Sequence, residues 1–286
     1  MGAYAPQKRP GLGALKRCPA SKDEFEVYEL DAATFVLRDL TNAEDNLLYL
    51  VVGSERAALI DTGLGTASVM PIVKQLTSLD CIALITHSHA DHIGQAYLFD
   101  EVYCFSCPAC IKQLQQGIPA GNLPSYFDSD FLTENSASAF EADSFSIPAC
   151  EQARGVEDGH CFDLGGRSLQ ALFMPGHSAD SLIFVDTARR YIFTGDLFYP
   201  GPLYAMFEDS DLQRYERSLR ELRAMTDELD ADYLLCGHND IVTDFLQVDT
   251  AVELLHQIRG CKVHPSFVDE QQNKHYCLGS IEIVTA

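Results

Sequence analysis

Seven consecutive residues, Thr86-His87-Ser88-His89-Ala90-Asp91-His92, carry three imidazoles and a carboxylate directly after the apolar run Cys81 to Ile85. A short apolar run bounded by polar residues reads as a buried strand, so the histidines sit at a strand end. A polar surface turn would leave them facing water. At this density, neutral imidazole and carboxylate oxygen instead form the donor set that zinc prefers, and the segment reads as a metal cradle. Metal coordination demands rigid supports, so the fold must bring other strand ends to the same place.

Three further apolar runs end in the required way. Leu169 to Met174 leads into Pro175-Gly176-His177, Tyr191 to Phe193 into Thr194-Gly195-Asp196, and Tyr233 to Leu235 into Cys236-Gly237-His238. A glycine before each ligand lets the chain bend sharply, so that the next side chain points over the sheet edge. His87, His89, Asp91, His92, His177, Asp196 and His238 make seven donors. That is too many for one tetrahedral ion and fits two ions sharing a carboxylate, with Asp91 also a candidate catalytic residue.

The rest of the pattern alternates strands with helices. Leu47 to Val52 and Ala57 to Ile60 form a hairpin across Gly53-Ser54-Glu55-Arg56. Helical spacing runs from Thr66 to Leu79 and from Ser210 to Leu229, the latter opened by a Ser210/Gln213 capping box. Thr250 to Arg259 is a third helix, opened by Thr250 and Glu253, closed by Gly260, with His256 as a structural residue. Such alternation predicts a layered α/β domain over residues 25–286 with no dividing linker. Residues 1–24 read as a flexible basic arm, with Lys8, Arg9, Lys16, Arg17 and Lys22. Residues 117–154, acidic and dotted with Tyr126, Phe127, Phe131, Phe140 and Phe145, read as a long loop or lid.

Composition excludes some functions. A formal net charge of -22 repels phosphate backbones and anionic headgroups, so neither nucleic acid nor membrane is an expected partner. No run approaches membrane-spanning length, and no apolar leader precedes the ten cysteines, so the expected compartment is the reducing cytoplasm. Cys104, Cys107 and Cys110 have the C-x2-C-x2-C spacing of a cluster site but need a fourth ligand. A strand ending at Cys104 and a helix starting at Pro108 predict that the three thiols diverge. His160, His264 and His275 lack ligand partners and read as surface or core residues.

The HxHxDH motif at His87 to His92, followed by a distant histidine, a Gly-Asp and a Gly-His, resembles the metallo-β-lactamase superfamily from about Phe25 onward. The resemblance implies an αββα four-layer sandwich with the metal site at one edge of two sheets. It also implies one ion on His87, His89 and His177, a second on Asp91, His92 and His238, and Asp196 bridging. Asp61, in the strand-end motif Leu59-Ile60-Asp61-Thr62-Gly63, would orient a ligand histidine, with Thr86 beside it. The implied cofactors are two zinc ions, with iron or manganese as alternatives.

Two zinc ions sharing a water imply hydrolysis of an electrophile such as a carbonyl. An aspartate at 196 departs from zinc β-lactamases, which resemble this family but typically carry cysteine or serine there. Glyoxalase II-like, lactonase and acyl-CoA thioesterase branches keep it. The ending Tyr276 to Val284 reads as a closing strand, unlike the helical segment of glyoxalase II. Asp45 to Tyr49, Asp61 to Gly65 and Gly201 to Tyr204 look like the acyl-CoA thioesterase branch. An acidic lid at Asp128, Asp130, Glu134, Glu141 and Asp143 favours an uncharged apolar ester or lactone over coenzyme A.

Tyr199 stands where lactonases resembling this family place an oxyanion donor. Phe198, Tyr204, Tyr126, Phe127 and Phe131 are the candidate substrate pocket. The expectation is a dinuclear zinc hydrolase of a small acyl substrate (thioester, ester or lactone), compatible with a homodimer. The alternatives are an iron-dependent redox enzyme on the same scaffold, similar to sulfur dioxygenases, then a β-lactamase or phosphodiesterase.

Overall fold

The structure is a computed structural model that describes residues 8–123, 131–133, 135 and 144–286. Strands β1 (Lys16–Arg17), β2 (Phe25–Asp31), β3 (Thr34–Asp39), β4 (Leu47–Val52), β5 (Ala57–Ile60), β6 (Cys81–Leu84), β7 (Val102–Phe105) and β8 (Ala153–Val156) lie in chain order in one eight-stranded sheet. The first five pair antiparallel, and β4 and β5 form the hairpin that the Gly53 to Arg56 turn predicts. From β5 to β8 the pairing is parallel, which requires crossovers.

Downstream, β9 (Cys161–Asp163), β10 (Ser168–Phe173), β11 (Leu182–Asp186), β12 (Tyr191–Gly195), β13 (Pro202–Ala205), β14 (Tyr233–Cys236), β15 (Phe267–Val268), β16 (Lys274–Leu278) and β17 (Ile281–Thr285) divide between two sheets. A five-stranded sheet has the order β14-β12-β11-β10-β9, and a four-stranded one the order β13-β17-β16-β15. The closing segment is therefore a hairpin, not one strand. Gly279, at φ +61, supplies the left-handed turn between β16 and β17.

Three apolar layers define the sandwich. Along β4 and β5, Leu48, Leu50 and Leu59 face one cluster with Ile72 and Val73, while Leu47, Tyr49, Val51 and Ile60 face the second sheet's Leu169, Phe184 and Phe193. The other faces of β11, β12 and β14, through Ile183, Ile192 and Leu234, pack against Tyr215, Leu219, Leu222 and Leu255. Period-two alternation with both faces buried is the pattern of central strands covered by helices on the outside. The αββα arrangement expected from the sequence is the one observed.

Helix α1 (Pro10–Gly13) lies in the basic arm, which packs against the domain where it is described. Leu12 is buried, its N–H and that of Gly11 donate to the Asp240 carboxylate at 2.7 and 2.9 Å, and β1 pairs with β2. Helix α2 (Met70–Leu76) is shorter than its apolar spacing suggested, because Val69, though buried, is the N-cap. Helix α3 (Ala90–Ile93) carries Asp91 and His92, and α4 (Pro108–Gln116) begins at Pro108 as read.

Helices α5 (Leu212–Leu229) and α6 (Leu246–Arg259) cover the second sheet. The cap of α5 is Asp211, whose carboxylate accepts from the N–H groups of Gln213 and Arg214; Ser210 donates instead to the His177 carbonyl at 2.6 Å. Helix α6 starts a turn before Thr250, whose hydroxyl donates back to the Leu246 carbonyl at 3.1 Å. Gly260 ends it, and the left-handed residue is the next one, Cys261 at φ +51.

The expected lid is partly described. Ile118 bridges to Ile147, Leu132 bridges to Asn42, and Phe131 is buried in the first-sheet core. Tyr126, Phe127, Phe140 and the acids Asp128, Asp130, Glu134, Glu141 and Asp143 lie outside the described residues. The three cysteine thiols do not all diverge: Cys107 is the N-cap of α4 and Cys110 its third residue, positions whose side chains face each other, and the two are in contact. Among the described residues, no helix is long and apolar enough to cross a membrane.

Candidate metal centre

The four strand ends meet. After β6 come Thr86, His87 and His89, with Asp91 and His92 on α3; after β10 comes His177; β12 is followed by Asp196 and β14 by His238. Two glycines show why these turns need them. At Gly176, with φ +150, a Cβ would lie 2.2 Å from the Tyr215 backbone, so only glycine lets the His177 turn pass under α5. At Gly237 a Cβ would lie 2.5 Å from Asp196 Oδ1, occupying the space the carboxylate uses.

Two ligand groups result. His87 Nε2 and His177 Nε2 lie 3.0 and 3.1 Å from His89 Nδ1, three ring nitrogens aimed at one point. Opposite them, Asp91 Oδ2 lies 3.2 Å from His92 Nε2 and 3.4 Å from His238 Nε2. Asp196 spans the two groups: its Oδ1 is 3.4 Å from His92 Nε2 and 3.2 Å from His238 Nε2, while its Oδ2 is 3.7 Å from His177 Nε2. All seven residues the sequence singled out as ligands are brought together. Within this set, His87-His89-His177, His87-His92-Asp196 and Asp91-His92-His238 each hold their donor atoms within 4.8 Å of one another.

Four of the imidazoles, those of His87, His92, His177 and His238, are fixed from behind. Asp61, buried and at φ +57, accepts from His92 Nδ1 at 2.9 Å and from the Thr86 N–H and hydroxyl at 2.8 Å. Thr86 Oγ1 in turn lies 3.1 Å from His87 Nδ1. His177 Nδ1 faces the Tyr204 carbonyl at 2.8 Å, and His238 Nδ1 the Glu44 carbonyl at 2.7 Å. These contacts place a proton on the rear nitrogen and make the front one the atom that would meet a metal. Asn46 donates to Asp91 Oδ2 at 3.0 Å, and Tyr215 to the Asp196 carbonyl at 3.2 Å.

The electrostatics split along the same line. Burial, reinforced by neighbouring imidazoles, holds His87 well below its ordinary pKa; burial likewise pushes His177 down to about 4. Both are neutral, as ligands must be. Burial opposes charge on His92 and His238 too, but the Asp91 and Asp196 carboxylates overcome it and raise both imidazoles well above the usual value. Burial would raise Asp91 and Asp196, yet the same imidazoles hold them well below the carboxylate range. Glu44, beside Asp91, is pushed up to about 7 by burial and then by that charge.

The donor set fits a pair of divalent cations on an observation independent of the ligand count. His92 Nε2 and Asp196 Oδ1 are buried polar atoms with no hydrogen-bond partner. A buried orphan of each kind facing the other is costly unless an ion joins them. The carboxylates raise the His92 and His238 pKa values, and ligation needs both imidazoles neutral, so cation binding there is linked to proton release.

Around the ligands, some expectations change. Tyr199 is buried, its ring edge-on to His238 with centroids 5.1 Å apart. Phe198 is fully buried beneath α5, with its carbonyl accepting from Thr194, and Phe131 belongs to the first-sheet core; neither is an open pocket wall. Tyr204, half-buried, contributes its carbonyl. The sequence reading missed Phe207, whose ring packs on His89 at 4.6 Å and His177 at 5.5 Å. It missed Asp180 as well, which accepts from the Ser88 N–H at 2.9 Å and the Ser178 hydroxyl at 2.8 Å, joining two ligand turns. The S-x-D after His177 is the only trace of it in the sequence.

Comparison with known proteins agrees with this architecture. The profile of the metallo-beta-lactamase superfamily matches residues 43–105 and 147–238, the stretches that hold all seven ligands. The acyl-coenzyme A thioesterase MBLAC2 of Homo sapiens is 30% identical over 203 residues, covering 67% of this chain and 72% of its own length. A hydroxyacylglutathione hydrolase of Photobacterium profundum is 27% identical over 195 residues, 68% of this chain and 62% of that one. Among solved structures, a metallo-beta-lactamase family protein from Thermus thermophilus superposes with a TM-score of 0.60 at 20% identity, over 80% of this chain and 81% of that one. The chain belongs to the metallo-beta-lactamase superfamily.

Proposed function

We propose that this protein is a hydrolase of acyl thioesters that works with two zinc ions. The observation that carries the reading is Asp196, whose two carboxylate oxygens face different ligand groups. His87, His89 and His177 would hold one cation, Asp91, His92 and His238 the other, and Asp196 both. Bound there, two divalent cations supply Lewis acidity to the substrate carbonyl and a lowered pKa to water. Iron or manganese would fit the same donors less selectively than zinc.

The chain's own residues do the rest. Asp61, Tyr204 and Glu44 fix ring orientation through His92, His177 and His238. Asp91, anchored through Oδ2 by Asn46, is assigned as the catalytic carboxylate that accepts a proton from the attacking water. The Tyr199 phenol, beside His238, is assigned as the donor to the carbonyl oxygen as it gains charge. A thioester is the bond that the activities named for both relatives share, and it supports a thioester over the ester or lactone that the acidic sequence favoured.

The test is a substrate panel on the zinc-loaded protein: acyl-CoA esters of graded chain length, a glutathione thioester, an acyl-homoserine lactone, a phosphodiester and a cephalosporin. Thioester turnover with two zinc per chain is expected. Turnover of the phosphodiester alone, or one iron with oxygen uptake, would overturn the assignment.

A further inference from the structure

The Cys107-Pro108-Ala109-Cys110 sequence sits at a strand-to-helix junction, directly after β7 and opening the nine-residue helix α4. Cys107 is the N-cap, extended at φ -101 and ψ 118, with Pro108 at the first helical position. Cys110 is three residues on, so the two side chains meet across the first turn as capping-box partners do. They are in contact. Cys107 is half-buried and Cys110 buried, and both are reduced. One accessible and one sheltered thiol in a C-x-x-C at a helix start is the arrangement of a reversible dithiol. A metal site is the competing use of these thiols. It would need three donors together, and among the described residues no group within 4.8 Å includes a cysteine.

The pair is wired to the metal centre. Burial, followed by the charge of the nearby Asp180 carboxylate, raises the Cys110 pKa. Asp180 holds the Ser88 N–H at 2.9 Å and the Ser178 hydroxyl at 2.8 Å, the residues between His87 and His89 and directly after His177. From the next turn of α4, Gln113 donates to the Ser88 carbonyl at 2.6 Å. The Ser88 residue is thus gripped through its N–H by Asp180 and through its carbonyl by Gln113, one turn after Cys110 on α4.

We infer that Cys107 and Cys110 are a thiol–disulfide switch that controls the metal centre. With oxidised glutathione as oxidant, Cys107 attacks one glutathione sulfur and releases a first glutathione thiol. Cys110 then attacks Cys107 and releases the second. Two protein S–H bonds are lost, one protein S–S bond forms, and the glutathione disulfide is reduced to two thiols that carry both protons away. The new bond ties the N-cap of α4 to its first turn and so shifts the helix whose Gln113 holds the Ser88 carbonyl between His87 and His89.

The experiment equilibrates zinc-loaded protein in buffers of graded reduced to oxidised glutathione, traps free thiols by alkylation, and maps linkages by peptide mass spectrometry while assaying turnover. The expected result is a Cys107–Cys110 linked peptide lighter by two hydrogens, with turnover lowered about fivefold or more and restored by dithiothreitol. Cys107→Ser, at a half-buried position outside the ligand set, should abolish both the link and the redox sensitivity. Cys110→Ser should leave a stable glutathione adduct on Cys107, a readout independent of activity. Linkage elsewhere, such as Cys104 to Cys150, or full alkylation of both thiols at every ratio, overturns the switch. A disulfide that forms with turnover unchanged overturns its control of the centre.

Discussion

At the scale of single residues, the seven candidate ligands were legible because they follow four apolar runs, where imidazole and carboxylate have few other uses. Their supports were not. Glu44 and Tyr204 act through backbone carbonyls, which any residue has, so no side-chain pattern could announce them. Asp61 did announce itself. Asp61→Asn keeps the volume but exchanges one acceptor for a donor facing His92 or Thr86. It is expected to cost about ten- to a hundredfold in zinc affinity or turnover, read by competition with a chelating dye. Asp196→Asn, which removes the shared charge, should abolish hydrolysis while circular dichroism stays unchanged; undiminished turnover would sink the two-metal reading.

A second residue-scale prediction concerns acid. Burial pushes Asp39 up to about 6, against the hydrogen bonds it accepts from Thr41 and Asn42. The folded chain therefore keeps a proton there that the unfolded chain releases at the ordinary value of 3.8. The stabilising contribution is complete below 3.8 and is lost as pH rises through about 6. A shift of this size corresponds to about 3 kcal/mol at most. Urea unfolding of the metal-free protein should show Asp39→Asn with a flatter profile than the parent across that window. Parallel profiles would place the titration elsewhere.

At the scale of elements, existence was easier to read than ends. Helix α5 followed from Tyr215, Leu219 and Leu222, which bury against the second sheet. Its start did not follow, because Ser210 and Asp211 are both good caps and tertiary structure chose between them. Ser210 is drawn off by the His177 carbonyl, leaving Asp211 to bind two helix N–H groups. Asp211→Ala should destabilise the protein by about 1 kcal/mol, measurable in urea midpoints. Ser210→Ala should act on His177, and so on turnover more than on stability. Equal stability losses in both would mean the cap is shared.

At the scale of the whole molecule, the centre joins both sheets. His87 and His89 follow β6 of the first, while His177, Asp196 and His238 follow β10, β12 and β14 of the second. A cation held by this set must lose ligands when either sheet separates, so its binding energy belongs to the folded state as a whole. At a thousandfold excess of free ion over its dissociation constant, the gain is about 4 kcal/mol for each site. Chelation should therefore lower the calorimetric midpoint by about ten degrees as one cooperative transition, and zinc should restore it. Because protons compete with the cations for His92 and His238, whose pKa values the carboxylates raise, the gap should narrow as pH falls. If the ions merely decorated a finished rim, stripping them would abolish turnover and leave the midpoint in place. A shifted midpoint in the parent and a smaller shift in Asp196→Asn would instead tie the shared carboxylate to the joining of the two sheets.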